Sequence, residues 1–278
     1  MELWITEYQT PALGFSCKAT ETLRVEQTPY QHLSVVDTQQ FGKMMLLDGM
    51  VQTTEEDEHI YHEMITMVAV NSHTDPGNVL VIGGGDGGTL REIVRHPQVN
   101  KGTLVEIDDR VIQASRDFFP ELSISFDSVK TEVIIDDGIK FIKDRKNEFD
   151  IVIVDSTEPV GPAKDLFSAQ FYQSVSAALK EDGMIVVQSE SPFFNQEVIK
   201  MAFGGIKKTF PITKLYLASI PTYPSGLWSF TIGSKIYDPE EIRYSGDLNL
   251  KYYTPEVHKA AFKLPAFVQK LIAMNGRE

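Results

Sequence analysis

Residues 78–88 read NVLVIGGGDGG. A strand of buried type, NVLVI, runs straight into a glycine cluster, and TLREIVR at 89–95 continues with helical character. Strand, glycine turn and helix in that order make the nucleotide-binding corner of an α/β domain, because glycines let backbone and ligand approach closely at a helix N-terminus. Gly83, Gly85 and Gly88 satisfy G-x-G-x-x-G, which alone is a weak signal. The pattern extends downstream: strand 102–107, helix 110–118, strand 129–135, helix 139–145, strand 149–154, helix 168–179, strand 183–188 and helix 196–208. Unbroken apolar runs such as IVIV at 151–154 suit parallel strands covered on both faces. The expected fold is a doubly wound, Rossmann-like α/β sheet, with 212–220 and 227–234 closing it as an antiparallel hairpin around PTYPSG.

Upstream the character differs. Short β-leaning runs at 23–25, 33–37 and 43–47 are punctuated by turn residues, and Asp48-Gly49 is a hairpin signal. This gives a small β domain over residues 1–56 and a Rossmann-like catalytic domain over 57–278. A helix is expected from about Glu55, with an apolar stripe of Ile60, Met64, Met67 and Val68.

Bulk properties narrow the function classes. A net charge of -13 and a pI near 4.9 weigh against a nucleic-acid partner and suit a cationic substrate. MELWITEYQT lacks the basic start and apolar run expected of a signal peptide, and no window reaches the roughly 18–20 apolar residues of a membrane span. The single cysteine, Cys17, leaves neither an intrachain disulfide nor a CxxC site. A cytoplasmic protein is expected.

The ligand class follows from charge. Asp86 stands inside the glycine cluster, where a dinucleotide's pyrophosphate would be repelled. A carboxylate there suits an adenosyl sulfonium or an amine, so the fold is read as the S-adenosylmethionine-methyltransferase type. Glu106, ending the next strand, is placed to accept hydrogen bonds from a ribose diol. Asp136-Asp137-Gly138, after the third strand, can reach an adenine. The fourth strand runs into Asp155-Ser156-Thr157-Glu158-Pro159, beside the glycine loop. Asp86, Asp155 and Glu158 can therefore surround one position, as an amine site or, alternatively, a metal site.

GGGDGG at 83–88, VEID at 105–108, DDG at 136–138, DSTEP at 155–159, PTYPSG at 221–226 and DGMVQTTEEDEHIYHEM at 48–64 together resemble the spermidine synthase family. The resemblance implies transfer of the aminopropyl group of decarboxylated S-adenosylmethionine to putrescine, giving spermidine and methylthioadenosine. It implies a homodimer or homotetramer and no metal or prosthetic group. By that resemblance Gln31, Glu106, Asp137, Gly138 and Pro162 hold the adenosyl moiety, and Asp86 faces the donor's amine. Asp155 is the proton acceptor, with Glu158 and His62 along the diamine slot and Tyr61 and Tyr223 offering rings and hydroxyls.

Two alternatives stay open on the residues. One is an S-adenosylmethionine-dependent amine N-methyltransferase, which shares loop and ribose carboxylate but must accommodate the donor carboxylate near Asp86. The other is a non-catalytic polyamine-binding protein. His59 and His62 share a helix face, but HxxHE is not the HExxH zinc arrangement.

Overall fold

The computed structural model describes residues 2–157 and 165–273. Its N-terminal part is a five-stranded antiparallel sheet in chain order: β1 (Leu3–Thr10), β2 (Leu13–Gln27), β3 (His32–Thr38), β4 (Gly42–Leu47) and β5 (Met50–Thr54). Asp48 and Gly49 both take positive φ (50° and 82°), the backbone of a tight two-residue hairpin between β4 and β5. The long β1–β2 hairpin has no delimited counterpart in the sequence reading. Its apolar residues Leu3, Trp4, Tyr8 and Leu13 are exposed, so they obey no inside–outside alternation.

Helix α1 (Glu58–Ser72) begins three residues later than expected from Glu55. Glu55 turns back instead, accepting the Lys43 N–H at 2.9 Å and pairing with Lys43 Nζ at 2.8 Å. Asp57 precedes the helix, and its carboxylate accepts the Thr54 hydroxyl (2.6 Å) and the Thr222 N–H and hydroxyl (2.9 and 2.8 Å). The helix is buried on nearly all sides, well beyond the expected stripe.

The second sheet carries the alternation: β6 (Asn78–Gly83), α2 (Gly88–Arg95), β7 (Lys101–Glu106), α3 (Asp109–Phe118), a short α4 (Pro120–Ser123), β8 (Thr131–Ile135), α5 (Gly138–Lys143), β9 (Phe149–Asp155), α6 (Ala169–Ala178), β10 (Leu179–Gln188), α7 (Gln196–Lys207), β11 (Ile212–Ser219) and β12 (Leu227–Ser234). Strand order is β11-β12-β10-β9-β6-β7-β8, with all strands running in one direction except β12, which is antiparallel to both β10 and β11. Alternate residues of β9 face opposite layers. Ile151 and Ile153 pack with Met64 and Met67 of α1, while Val152 and Val154 pack with Ile142, Phe171 and Ile206. All are fully buried, each such side chain stabilising by roughly 1.5–3 kcal/mol relative to exposure.

β6 and β9 are neighbours although two strand–helix units separate them in sequence, and this reversal of strand order opens the crevice where α/β folds bind ligands. Beyond β12 an irregular strap leads to α8 (Pro255–Ala261) and α9 (Ala266–Ala273). Glu63 anchors it by accepting the N–H groups of Lys251, Tyr252 and Tyr253 at 2.7–2.8 Å. Among the described residues no helix is long and apolar enough to cross a membrane.

Candidate active site

A cavity of about 620 Å³ opens at the carboxyl ends of β6, β7 and β9, and the N-terminal sheet forms its other wall. Gln31, Tyr61, Asp86, Glu106, Asp137, Gly138, Asp155 and Tyr223, singled out from sequence, all line it. Glu158 and Pro162 lie outside the described residues. His62 is absent from the described lining. It sits one layer behind Asp86, at 1% exposure.

Asp155 ends β9, paired in register with Gly83. A Cβ at Gly83 would stand 2.1 Å from the Asp155 carbonyl oxygen, and Gly83 has φ +83°. The first glycine of the loop is thus needed for the loop to pass β9, independently of any ligand. Both Asp155 oxygens accept hydrogen bonds: Oδ1 from the Tyr61 hydroxyl and Oδ2 from the Thr89 hydroxyl, each at 2.6 Å. Burial and the nearby Asp86 charge push the Asp155 carboxyl up, against the opposing effect of His62, Thr89 and Tyr61.

Asp86 is also buried, yet its carboxyl is pulled below the usual range. His62 Nε2 stands 3.3 Å from Oδ1, and the Gly88 N–H donates to the same oxygen at 2.7 Å, together outweighing burial. Two carboxylates at one end of the cavity are therefore pushed in opposite directions, the arrangement that separates a fixed anion from a proton acceptor.

At the other end backbone groups do the anchoring. Glu106 accepts the N–H groups of Gly85 (3.1 Å) and Asp108 (2.9 Å), while burial raises its carboxyl to about 7. Asp137 caps α5 through the N–H groups of Ile139 (2.9 Å) and Lys140 (3.4 Å), and still lines the cavity with Gly138. Gln31 reaches across from the N-terminal sheet and donates its side-chain amide to Asp108 at 3.0 Å, leaving its carbonyl oxygen for a ligand.

The third wall is aromatic. The Tyr61 and Tyr223 rings lie 5.5 Å apart, and Tyr223 packs edge-on against Trp228 at 4.8 Å. The Tyr223 hydroxyl donates to the Gln52 carbonyl at 2.6 Å, and that of Tyr61 to Asp155, so both rings present faces and oxygen lone pairs, their hydrogens being committed. The wall residues that sequence reasoning missed include Glu7, Gln188, Glu190 and Trp228. Glu7 comes from β1 and is held by the Val51 N–H at 3.0 Å. Glu190 has φ +70°, and its carbonyl accepts the Ser229 N–H (3.0 Å) and hydroxyl (2.7 Å). An acidic residue two places past a strand, at the sheet edge where α/β folds bind ligands, is the signal the sequence offers.

Away from the cavity His73, Asp150 and Asp182 approach to within 4.8 Å. The chemistry there suits an ion-pair cluster better than a metal. Lys180 Nζ already sits 2.8 Å from Asp150, and the His73 Nδ1 accepts the Asp75 N–H at 3.1 Å, which leaves the hydrogen of a neutral ring on Nε2, facing the carboxylates.

Comparison with known proteins agrees with this geometry. Residues 58–244 match the family model of the spermine/spermidine synthase domain, and residues 3–55 that of the spermidine synthase tetramerisation domain. A polyamine aminopropyltransferase of Caldicellulosiruptor saccharolyticus is 57% identical over 98% of this chain and 99% of its own. One from Bacillus cytotoxicus is 52% identical over 98% of this chain and all of its own (100%). A crystal structure of a spermidine synthase in complex with the transition state analogue AdoDATO superposes with TM-score 0.94 at 41% identity, covering 98% of this chain and 95% of that one. The spermidine synthase of Thermotoga maritima superposes with TM-score 0.92 at 40% identity, over 98% and 94%. The chain belongs to the spermine/spermidine synthase family.

Proposed function

We propose that Asp155 is the proton acceptor, and Asp86 the anchor of the donor's amine, in transfer of the aminopropyl group of decarboxylated S-adenosylmethionine to putrescine. The chain is a polyamine aminopropyltransferase that makes spermidine and methylthioadenosine. The observation that carries the assignment of roles is the opposed pair of buried carboxylates beside the glycine loop, Asp86 pulled down and Asp155 pushed up.

A primary alkylammonium has a pKa near ~10.4, so freeing its lone pair at neutral pH costs about 4–5 kcal/mol. A carboxyl raised by burial, beside a sulfonium that disfavours a second cation, narrows that gap. The amine nitrogen attacks the aminopropyl carbon bound to sulfur. The C–S bond breaks, its electron pair stays on sulfur as the thioether of methylthioadenosine, and the new N–C centre releases a proton to Asp155. The donor brings its own leaving group, so the proposed reaction calls for no metal or prosthetic group. What the site adds is alignment of nitrogen, carbon and sulfur, worth up to about 7–11 kcal/mol in the best intramolecular cases.

Glu106, with Gln31, Asp137 and Gly138, takes the ribose and adenine, with Pro162 assigned to the adenine side from the family pattern. Tyr61, Tyr223 and Glu158 belong to the diamine, whereas His62 acts through Asp86 on the donor's amine. The catalytic unit is residues 57–278, and residues 1–56 serve assembly as a homodimer or homotetramer. That assignment is supported by the exposed apolar side chains of β1 and β2.

The test is a mass-spectrometric assay with intact or decarboxylated donor against putrescine, cadaverine, agmatine and spermidine. Spermidine and methylthioadenosine from the decarboxylated donor with putrescine are expected. Methylated amine from the intact donor alone would reverse the reading, and absence of any product at high protein concentration would leave a polyamine-binding protein.

A further inference from the structure

Glu58, the first residue of α1, is almost fully buried, is absent from the described cavity lining, and points away from it. Its Oε1 accepts Arg91 Nη1 at 3.0 Å, and its Oε2 accepts Arg91 Nη2 at 2.9 Å and faces His62 Nδ1 at 2.6 Å. Arg91 is in turn oriented by Glu92, whose Oε1 accepts its Nε–H at 2.7 Å. On the far side of the ring His62 Nε2 meets Asp86 at 3.3 Å. A row of alternating charge, Arg91, Glu58, His62 and Asp86, thus leads from α2 to the cavity wall.

The ring's protonation follows from donor counting. Each nitrogen faces a carboxylate, which only accepts, and a neutral imidazole carries a single N–H. Only the imidazolium donates to both. Nor can the ring turn aside. A Cβ on Gly88 would stand 2.2 Å from His62 Cε1, so the imidazole is wedged against the first turn of α2, and the Tyr61 ring meets its edge at 5.4 Å.

We propose that Glu58, clamped by Arg91, is a positioning residue: it fixes His62 as an imidazolium whose Nε2–H donates to Asp86, and so keeps Asp86 ionised and aimed at the donor's amine. The proposal deepens, and rests on, the assignment of Asp86 to that amine. Among the described residues two anions lie against His62, Glu58 from its own helix and Asp86 from the glycine loop. The next charges beyond are Arg91, which shares Glu58 Oε2 with the ring, and Asp155. Burial opposes the ring's charge, but Asp86 and Glu58 outweigh it and raise His62 to about 10.

The test combines a titration and kinetics. In ¹⁵N-labelled wild-type protein both His62 ring nitrogens are expected to show imidazolium shifts from pH 6 to 8. A neutral ring at pH 7 overturns the proposal, whatever the variants do. In Glu58→Gln the ring is expected to titrate near neutrality, and the KM for the decarboxylated donor at pH 8 to rise about 10- to 100-fold, the range for losing a charge-assisted contact. Methylthioadenosine, which lacks the amine, is expected to bind unchanged. Arg91→Gln unclamps Glu58 but leaves its charge beside the ring, so the imidazolium is expected to persist while the donor KM rises less than in Glu58→Gln, and this variant stands in should Glu58→Gln fail to fold. A Glu58→Gln protein with wild-type His62 titration and donor KM sinks the positioning role while leaving the aminopropyl transfer intact. Wild-type protein that makes no spermidine sinks the functional assignment instead, and the titration still reads the state of His62.

Discussion

The two ends of the cavity hold their carboxylates by different means. At the end proposed for the nucleoside, Glu106 and Asp137 are fixed by backbone N–H groups of residues within one loop or helix turn of them, apart from the Gly85 N–H. At the end proposed for the amines, Asp86 and Asp155 are held largely by side chains brought from other elements: His62 and Tyr61 from α1 and Thr89 from α2. Backbone donors come with the fold and cannot be mutated away singly. Side-chain donors set charge as well as position. The nucleoside end should therefore tolerate substitution at a distance, whereas the amine end should respond to it through protonation state.

The largest effect is expected at Asp155. Asp155→Asn keeps the shape but cannot take a proton, and general-base loss is worth about 10²- to 10⁴-fold. We expect kcat to fall by about 10³-fold within that range, with methylthioadenosine affinity by calorimetry within twofold or so of wild type. A variant that keeps most of its turnover removes Asp155 as the base and erases the contrast between the two acids at this end.

Asp86→Asn comes next. Losing one partner of a buried, hydrogen-bonded charge pair costs about 2–5 kcal/mol. We expect kcat/KM for the decarboxylated donor to fall by about 10²-fold, a loss of that order, again without change in methylthioadenosine binding. Asp86 is also the charge that raises Asp155 most after burial itself, so the acid limb of the kcat profile should move to lower pH in this variant. A limb that stays in place would mean that the two carboxylates are not electrostatically linked.

How much of this was legible without coordinates depends on the reach of each interaction. The glycine loop, Glu106 and Asp155 could be read because strand, turn and helix follow one another and β9 must lie beside β6 in a doubly wound sheet. His62 was placed on the wall beside Tyr61, but consecutive helical residues point about 100° apart, and only Tyr61 faces the cavity. Helical periodicity does say that Glu58 and His62 share a face. It does not say that Asp86 waits on the other side of the ring. Glu7 was illegible because its burial arises only when β1 folds over β5, and nothing in LWITEYQT marks that docking. Trp228 packs in the core while one side of its ring meets the cavity, a double role that no local pattern marks.

The nucleoside end offers a pH test of its own. Glu106 stands at about 7 in the free protein, raised by burial against three backbone donors. A ribose diol donates to the carboxylate and not to the neutral acid, so ligand binding favours the ionised form and affinity must rise with pH. Between pH 6 and pH 8 the ionised fraction climbs roughly tenfold, and methylthioadenosine affinity should rise by about the same factor. Affinity flat across this range would show that the diol does not engage Glu106. In Asp86→Asn the same rise should persist, since the two ends are tuned separately.

The smallest effect sharpens the comparison most. Thr89→Val is nearly isosteric and removes a single hydroxyl, the donor to Asp155 Oδ2 at 2.6 Å. That hydrogen bond favours the ionised carboxylate, so its loss pushes Asp155 higher still. A higher pKa means a stronger base that is available over a narrower range, and the acid limb of kcat should move up in pH. On that limb the loss should be modest, about three- to tenfold for one hydrogen bond to a charged group. Above the acid limb of both proteins, where Asp155 is ionised in each, the rates should converge. Convergence identifies the effect as protonation, because misplacement of the base would lower kcat at every pH. Thr89 contacts Asp155 from the first turn of α2, the helix that also carries Arg91. A titratable response here, with methylthioadenosine affinity untouched, would show that α2 tunes the amine end through its side chains while the nucleoside end stays under backbone control.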